Sequence, residues 1–310
     1  MNQNLRPARV AAIVVNFRTP DFTVACVDSL VASTEPLHVI VVDNASGDGS
    51  AEEFATRYAS DSRVTVVPRD VNDGYTGGNN AGVAIARALH VPYALILNSD
   101  TVLDPECVRL LADEADREPR TALATPRIFY GDRRDTLWFG GGRYSLWHGR
   151  PMHVGVNRSA NHGWANRRDC SFASGCALLV RLGAFSGDLF DASLFAYAED
   201  LDLSIRARRA GHRIRYVPEA LVWHHEGASH RKSGGQALRF YFNTRNVLRV
   251  STRHARWYHW ITLGPSLAID LVGRLAAVSV RDRDMRAFRG VARGVAHAII
   301  GRTGAARPPQ

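Results

Sequence analysis

The 310-residue sequence has few cysteines and no pair of them at metal-binding spacing. Its four cysteines are widely separated and form no C-x-x-C motif: Cys26, Cys107, Cys170 and Cys176. This argues against a disulfide-stapled fold and against a structural zinc site, and it favours a reducing, cytosolic setting. Residues 1–7 lack the basic start and apolar stretch of a secretory signal, so we expect no export.

Internal repeats and low-complexity linkers are also missing, apart from the short tail 304–310. The composition, with 45% hydrophobic and 22% charged residues, is that of a folded globular chain and excludes wholesale disorder. The length fits one large α/β domain or two small ones.

Acidic residues are scarce near the carboxyl terminus. From residue 231 onward, 15 Lys and Arg residues face three acidic residues, a local charge of +12, whereas residues 1–230 carry −3. Such asymmetry indicates a polyanionic partner, either a membrane surface or a nucleic acid.

Short apolar runs rich in β-branched residues mark the first part of the chain. They predict four strands, at 10–15, 38–42, 63–67 and 93–97, and the segments between them predict helices at 21–33, 50–59, 79–89 and 104–117. Regular alternation of strand and helix predicts a Rossmann-like α/β fold, a mostly parallel sheet with helices on both faces. A ligand would then bind at the carboxyl ends of the strands.

The pattern changes after residue 125. Residues 126–170 predict loops and short strands, followed by a strand at 176–180, a helix at 198–210, a strand at 213–217 and a basic amphipathic stretch at 236–254. Residues 257–280 form the most apolar long segment, in which Pro265 predicts a kink between two shorter helices.

Polar clusters follow the predicted strands. Asn16 follows the first, and Asp43 and Asn44 follow the second, where an acidic residue suits hydrogen bonding to a nucleoside; the alternative is a cap for a helix over 46–55. The run NDGYTGGNNAG at 72–82 leaves backbone amides for phosphate or ribose oxygens, although a glycine-rich stretch can also be only a turn. Its spacing matches neither the dinucleotide motif nor the P-loop.

Two further clusters carry hard ligands and titratable groups. Asn98, Ser99 and Asp100 follow the fourth strand and offer oxygens to Mg²⁺ or Mn²⁺ chelated by a diphosphate, with a strand-end turn as the alternative. The cluster AEDLDL at 198–203 predicts a helix on which one acid faces a cleft while others pair with Arg206 or Arg208. The pair His224-His225 follows 24 residues later, where a packing role is the alternative to a ligand role.

The order of all six clusters resembles glycosyltransferase family 2, the inverting nucleotide-sugar enzymes of the GT-A fold, over roughly residues 9–250. It looks most like the rhamnosyltransferase-type members, through the motifs VDNAS, NDGYTGGNNAG, LNSDT, SGCALLVR, AEDLDLSIRARRAGHRI and WHHEGAS. The resemblance implies a GT-A domain at 1–250, with a nucleotide-binding half at about 9–125 and an acceptor and catalytic half at about 126–250. Residues 251–310 would form a basic amphipathic helical tail.

The resemblance also implies roles for individual residues. Asp200 aligns with the general base, beside Glu199, while Asp100 and His224 align with the metal ligands, and His225 is the alternative ligand. Asn98 stands where the family's DxD motif has its first acid, which leaves one carboxylate fewer. The nucleotide-sugar side of the site comprises ten residues: Asn16, Asp43, Asn44, Gly74, Tyr75, Gly78, Asn79, Asn80, Asn98 and Ser99.

The implied reaction is an in-line displacement, in which an acceptor hydroxyl loses its proton to a carboxylate and attacks the anomeric carbon. A divalent cation would neutralise the departing nucleoside diphosphate. The resemblance favours dTDP-rhamnose as donor and a lipid-linked or cell-surface glycan as acceptor, held by the Trp- and Gly-rich segment 138–164.

Two other functions compete with this interpretation. A nucleic-acid-binding protein would explain the basic tail, but no RRM, OB or helix-turn-helix pattern occurs, so we expect no nucleic-acid partner. An inactive sugar- or nucleotide-binding relative would lack catalytic residues, whereas Asp100, Asp200 and His224 are all present.

The tail predicts a peripheral protein on the inner face of the cytoplasmic membrane. Asp270 and Arg274 interrupt the apolar segment, and charges at a bilayer centre cost about 2.5–3.5 kcal/mol each, which disfavours spanning. A following amphipathic helix would set its arginines against anionic lipid: Arg281, Arg283, Arg286, Arg289 and Arg293, with Met285, Phe288 and Val291 on its apolar side. Alternatively these helices pack on the catalytic domain or on a second subunit of a homo-oligomer.

Overall fold

The computed structural model describes residues 7–159, 163–225, 235–281 and 284–306, and of residues 280 and 281 only the backbone. Residues 226–229 of the WHHEGAS motif, Arg283 and the side chain of Arg281 therefore lie outside the described part of the chain. The first elements are β1 (Val10–Asn16), α1 (Pro20–Val31), β2 (Leu37–Asp43), α2 (Ser50–Arg57), β3 (Val64–Pro68), α3 (Gly74–Ala88), β4 (Tyr93–Asn98), β5 (Thr101–Leu103) and α4 (Cys107–Arg117).

The second part of the chain holds the remaining elements. They are β6 (Thr121–Tyr130), β7 (Leu137–Phe139), β8 (Gly142–Arg143), β9 (Met152–His153), β10 (Arg168–Asp169), β11 (Ala177–Arg181), α5 (Glu199–Arg209), β12 (Arg213–His224), α6 (Gly235–His254), α7 (Trp260–Ala276) and α8 (Met285–Ile299). A short 3₁₀ turn, Trp257–His259, precedes α7.

One mixed sheet organises the molecule, in the order β10-β12-β6-β11-β4-β1-β2-β3, with β5 paired to β12 and β7 to β6. The strands β4, β1, β2 and β3 are parallel, whereas β11 runs antiparallel to both β4 and β6. Residues of α1, α2 and α4 pack on one face of the sheet and residues of α3 on the other. The predicted α/β fold with helices on both faces of a central sheet is confirmed. Its parallel part is β4-β1-β2-β3 together with the β6–β12 pair, whereas β5, β7, β10 and β11 pair antiparallel with their neighbours.

Two predicted elements are longer in the structure. The strand expected at 213–217 continues past Pro218 to His224, because the register with β6 shifts between Val217 and Leu221 and places the proline in the irregularity. The helix expected at 79–89 begins at Gly74. Glycines inside this helix let it approach the sheet, since a Cβ at Gly82 would lie 2.4 Å from the Ile13 side chain.

The carboxyl-terminal helices return to the domain. A Cβ at Gly290 of α8 would lie 2.4 Å from the carbonyl oxygen of Ala237 in α6, so the two backbones touch. Ala287 and Val291 are fully buried. The apolar side of α8 therefore covers α6, as the packing alternative predicted, and the domain boundary predicted at residue 250 falls inside α6.

Helix α7 is continuous through Pro265, so the predicted division into two shorter helices is wrong. Hydroxyl groups on both sides of the proline donate to loop carbonyls, Thr262 to Trp147 (2.7 Å) and Ser266 to His148 (2.8 Å), so tertiary contacts hold the turns on both sides of the proline. By length and composition the 23-residue segment Trp257–Ser279 could cross a membrane, and 11% of its apolar window is buried.

Candidate active site

A cleft of about 840 Å³ opens at the carboxyl ends of the central strands. Val15, Asn44 and Asn98 line it from the ends of β1, β2 and β4, and Glu199 and Asp200 line it from the start of α5. Parallel strands carry their carboxyl ends to one edge, which is why clusters far apart in the sequence converge here.

Asp43 is the centre of a buried polar network. Its carboxylate accepts hydrogen bonds from Asn16 Nδ2 (2.7 Å), the Ser46 hydroxyl (2.6 Å) and the Ser50 hydroxyl (3.2 Å). Asp43 is 4% exposed and Asn16 is fully buried, whereas the adjacent Asn44 lines the cleft. The network fixes the loops after β1 and β2. Helix α2 begins at Ser50 with Gly49 at its N-cap, so the alternative of Asp43 as a cap for a helix over 46–55 is wrong, while its nucleoside role stays a prediction.

The glycine-rich run joins the cleft to the segment before α5. Gly74 has φ +75°, and a Cβ there would lie 2.3 Å from the carbonyl oxygen of Phe195. Tyr75 lines the cleft and donates its hydroxyl to the carbonyl of Gly175 (2.7 Å). Gly78 contacts Val15, where a Cβ would come within 2.8 Å of the side chain. Gly74 and Gly78 thus provide close packing.

The two asparagines of this run make intramolecular contacts. Asn79 Nδ2 donates to the carbonyl of Tyr75 (2.8 Å), and Asn80 Nδ2 donates to the carbonyl of Phe190 (2.8 Å). The Phe190 amide donates back to Asn80 Oδ1 at 2.9 Å. Asn80 therefore clamps the loop before α5, and the nucleotide contacts expected of both asparagines stay predictions.

Asp100 and His224 meet on one wall of the cleft. Strand β5 pairs antiparallel with β12, which places His224 opposite Thr101 and its Nε2 3.1 Å from Asp100 Oδ1. Both side chains are 5% exposed. Burial opposes protonation of His224, but the neighbouring Cys176 and Asp100 raise its pKa well above the ordinary value.

Adjacent His225 points elsewhere, because successive strand residues face opposite sides. Its ring lies 5.9 Å from that of Phe22, while its backbone amide donates to the carbonyl of Asp100 (2.8 Å). His224, and not His225, therefore lines the cleft with Asp100, Asn98 and Ser99. In the described part of the chain, no three His, Cys, Asp or Glu side chains come together as a complete metal site.

The acidic pair of α5 lies on another part of the cleft wall. Asp200 accepts hydrogen bonds from the amides of Gly175 and Leu201, both at 2.8 Å. Burial raises the pKa of Asp200 to about 6, against the lowering effect of these amides. Burial and the charge of Asp200 raise the pKa of Glu199 to about 8. Within the described residues, Glu199 Oε2 has no hydrogen-bond partner.

The third acid of this cluster pairs with Arg206 as expected, whereas two acids, Glu199 and Asp200, and not one, line the cleft. Asp202 accepts from Arg206 Nε (2.8 Å) and lies 2.8 Å from His254 Nε2 of α6. Asp202 therefore holds α5 on α6, and this structural role does not involve Glu199 or Asp200, the two carboxyl groups that face the cleft.

Several cleft residues carried no sequence signal. Asn243 reaches the cleft from α6, and Arg274 and Ala306 reach it from segments beyond residue 250 that were expected to form a separate tail. The indole of Trp138 lies 4.6 Å from the His224 ring, edge to face. Trp138 belongs to the segment expected to hold the acceptor. Because its ring contacts His224, this segment lies beside the residues predicted to bind the metal.

Comparison with known proteins is consistent with this geometry. The family model described as "Glycosyl transferase family 2" matches residues 11–173, and "Glycosyl transferase family group 2" matches residues 93–289. An N-acetylglucosaminyl-diphospho-decaprenol L-rhamnosyltransferase of Mycobacterium tuberculosis is 28% identical over 264 residues, 77% of this chain and 83% of that protein. The Escherichia coli rhamnosyltransferase WbbL is 23% identical, over 76% of this chain and 90% of its own length.

Solved structures share the fold. Residues 1–349 of TarS from S. aureus superpose with a TM-score of 0.61 at 15% identity, covering 94% of this chain and 81% of that one. A Pyrobaculum calidifontis mannosyltransferase in complex with GDP-Man and Mn²⁺ gives a TM-score of 0.56 at 14% identity, covering 99% of this chain and 80% of that one. The family model spans more than half of the chain, and the fold is that of GT-A enzymes. The chain therefore belongs to glycosyltransferase family 2 and is a rhamnosyltransferase-like glycosyltransferase of the GT-A fold.

Proposed function

We propose that this enzyme transfers rhamnose with inversion from dTDP-rhamnose to a polyprenyl-diphosphate-linked sugar, with Asp200 as the general base. One observation carries the proposal: the Asp200 carboxylate faces the cleft in a fixed orientation, held by two backbone amides. With a pKa of about 6 it is ionised at neutral pH and yet more basic than an ordinary aspartate. Both properties suit a group that accepts a proton in the transition state.

The chain's own residues define the chemical step. Asp200 accepts the proton of the acceptor hydroxyl while that oxygen attacks the anomeric carbon, and the bond from this carbon to the diphosphate breaks on the opposite side. The carbon is inverted, and the nucleoside diphosphate leaves with the bonding electron pair. Glu199, protonated at neutral pH, adds no second negative charge beside the base.

A divalent cation, Mg²⁺ or Mn²⁺, fits the part of the cleft wall formed by Asp100 and His224. Asp100 and His224 offer one carboxylate and, once metal binding releases the imidazole proton, one neutral imidazole 3.1 Å away, a donor set suited to these ions when a diphosphate supplies the other oxygens. The cation would contribute positive charge against the leaving diphosphate. Two solved relatives of this fold are described with Mn²⁺, which supports the proposal.

The donor and acceptor are proposed from the relatives. The M. tuberculosis relative is named for L-rhamnose transfer to N-acetylglucosaminyl-diphospho-decaprenol, and the E. coli relative is named as a rhamnosyltransferase. Trp138, Pro151 and His153 line the cleft from the segment expected to hold the acceptor.

A donor panel tests the reaction. dTDP-rhamnose, UDP-N-acetylglucosamine and GDP-mannose are each incubated with a short-chain N-acetylglucosaminyl-diphospho-polyprenol, and release of nucleoside diphosphate is measured. We expect dTDP-rhamnose to be used, and Asp200→Asn to lower kcat on the order of 10²–10⁴-fold while dTDP still binds. Asp70→Asn, an exposed carboxylate, is the matched control. Near-normal turnover of Asp200→Asn would remove the base assignment, and another preferred donor would overturn the sugar assignment.

The metal proposal has a test independent of turnover. Mn²⁺ binding in the presence of dTDP is followed by electron paramagnetic resonance. His224→Gln should weaken binding at least tenfold, whereas His225→Gln, which changes the adjacent side chain, should leave it unchanged. Equal binding by all three proteins would exclude His224 as a ligand.

Helix α7 supports our proposal of peripheral binding to the inner face of the cytoplasmic membrane. Its outward side is apolar and exposed, since Ile261, Ile269 and Val272 are 70%, 73% and 65% exposed, and Trp257 of the 3₁₀ turn before it is 81% exposed. Tryptophan residues favour the level of the lipid headgroups.

The charges of α7 lie on its other side. Arg274 donates to Asp270 (2.6 Å) and to Asn243 of α6 (2.7 Å), and Arg150 lies 3.5 Å from Asp270. A helix tied to the body in this way favours lying in the plane of the bilayer over crossing it. The local charge of +12 from residue 231 onward complements anionic lipid. Arg274 also lines the cleft, so binding through α7 would bring the cleft next to a lipid-linked acceptor.

Flotation with phosphatidylglycerol-containing vesicles tests this surface. Point variants are preferable to truncation, because Ala306 lines the cleft. The wild-type protein and Val71→Asp, whose exposed valine lies outside α7, should float, whereas Ile261→Asp/Ile269→Asp should stay in solution. If none floats, and the wild-type protein and Val71→Asp elute as dimers while Ile261→Asp/Ile269→Asp elutes as a monomer, the apolar side of α7 contacts a second copy and the membrane proposal is wrong.

A further inference from the structure

The turn that leads into α5 is held in an unfavourable backbone conformation. Phe195, Tyr197 and Ala198 have φ angles of 67°, 68° and 63°. Residues other than glycine seldom adopt such angles, and they persist only where surrounding contacts enforce them. Because this turn ends directly before Glu199 and Asp200, the contacts that enforce it also determine where those two carboxyl groups lie.

One buried side chain of α6 gathers the carbonyl groups of this turn. Asn246 is fully buried, and its Nδ2 donates to the carbonyls of Leu194 (2.8 Å), Ala196 (2.7 Å) and Tyr197 (3.0 Å). A carboxamide nitrogen is suited to this contact because it carries two donor hydrogens and no acceptor, and with three carbonyls within 3.0 Å at least one hydrogen is shared between two of them.

The preceding residue orients that carboxamide. Arg245 is fully buried, and its Nε donates to Asn246 Oδ1 (2.8 Å), which directs the amide nitrogen toward the turn. The same guanidinium donates to the carbonyls of Leu194 (2.9 Å) and Gly304 (2.8 Å), and its carbon lies 5.0 Å from the centre of the Phe242 ring. Arg245 thus connects the turn to the carboxyl-terminal segment.

The turn also contacts the glycine-rich run. The amide of Thr76 donates to the carbonyl of Phe195 (3.1 Å), and Gly74 packs against the same carbonyl. On its other side, the amide of Asp202 donates to the carbonyl of Ala198 (3.0 Å), forming the first hydrogen bond of α5. A change in the turn would therefore move the start of α5 relative to the nucleotide side of the cleft.

We infer that Asn246, oriented by Arg245, is a positioning residue for the reaction: it holds the left-handed turn that presents Glu199 and Asp200 to the cleft. The inference rests on the proposed role of Asp200 as base. Without these contacts from Asn246 Nδ2, the residues of the turn can relax to ordinary angles, and the Asp200 carboxylate loses its fixed direction. Positioning affects the chemical step more than the binding of the nucleotide.

The test uses the full-length protein and three variants. Asn246→Asp keeps the size of the side chain but replaces the donor with a carboxylate, and Asn246→Ala removes the donor without adding charge. Val250→Ala is the control, because Val250 is fully buried one turn further along α6 and belongs to the hydrophobic core. Hydrogen–deuterium exchange of peptides covering 195–203, dTDP affinity, and kcat and KM for dTDP-rhamnose are measured.

We expect both Asn246 variants to exchange faster in 195–203 and to lose roughly 10–100-fold in kcat, with KM and dTDP affinity within about threefold. Val250→Ala should lower the melting temperature and leave kcat and local exchange near wild type. Wild-type exchange and kcat in a folded Asn246→Ala protein would overturn the inference, as would faster exchange with unchanged kcat. Absence of sugar transfer by the wild-type enzyme would instead contradict the proposed function.

Discussion

Replacing Glu199 with glutamine should stabilise the protein at neutral and alkaline pH. Burial and the adjacent Asp200 raise the pKa of Glu199 from 4.5 to about 8, so the folded protein holds a proton that the unfolded chain releases. For a carboxyl group with a raised pKa, the contribution to stability is fully present below pH 4.5 and is lost as the pH rises through about 8. Glutamine copies the protonated form and does not titrate.

The expected magnitude follows from this window. Each pH unit inside it changes the free energy of unfolding by about 1.4 kcal/mol, so wild type should lose about 3 kcal/mol relative to Glu199→Gln from about pH 5.5 to pH 7.5. The unfolding entropy is roughly 2.1 cal/mol/K per residue, which converts this free energy into a shift of the melting temperature. From about pH 5.5 to pH 7.5, the melting temperature of wild type should fall by about 4 °C relative to that of Glu199→Gln.

Melting temperatures of wild type, Glu199→Gln and Glu53→Gln are compared by differential scanning fluorimetry across this pH range at constant ionic strength. Glu53 is an exposed carboxylate of α2, so its variant should follow wild type at every pH. Parallel curves for wild type and Glu199→Gln would show that Glu199 titrates normally in the folded protein, and the reasoning from its burial would be wrong.

Two further outcomes follow from the geometry. The kcat/KM of the wild-type enzyme should fall as the pH drops through about 6, because Asp200 must be ionised to accept a proton, and a rate independent of pH down to about 5 would contradict that role. Gly74→Ala should destabilise the protein several times more than Gly47→Ala in chemical denaturation: both glycines have positive φ, but a Cβ at Gly74 meets Phe195 whereas one at Gly47 meets nothing within 4 Å. Equal losses would show that backbone conformation alone, without the clash, sets the cost.

Much of the fold was readable from the sequence because its signals are local. Runs such as VAAIVV and YALIL are short and apolar on both sides, which is typical of strands buried in a central sheet. Polar residues directly after such runs had to meet at one edge, because parallel strands place their carboxyl ends together. This is why Asn44, Asn98 and Asp100 were correctly expected near one another.

Other features depended on contacts between distant residues. The pairing of β5 with β12 decides that His224 faces the cleft and His225 does not, and a shift of one residue would exchange them. The glycine-rich run was expected to serve a ligand, yet Gly78 and Gly82 bring α3 against β1.

The carboxyl-terminal part shows the same division. Its composition correctly indicated basic helices. Amphipathic spacing, however, does not tell whether the apolar side of a helix is covered by a membrane or by another helix. The structure decides this for α8, whose Gly290 and Gly294 fit against α6, and it leaves the apolar side of α7 exposed.

The left-handed turn before Glu199 had no local signal either, because its conformation is enforced by Asn246, some 50 residues away along the chain. Local sequence determines which elements form, whereas register, close packing and strained turns depend on partners that only the folded chain brings together.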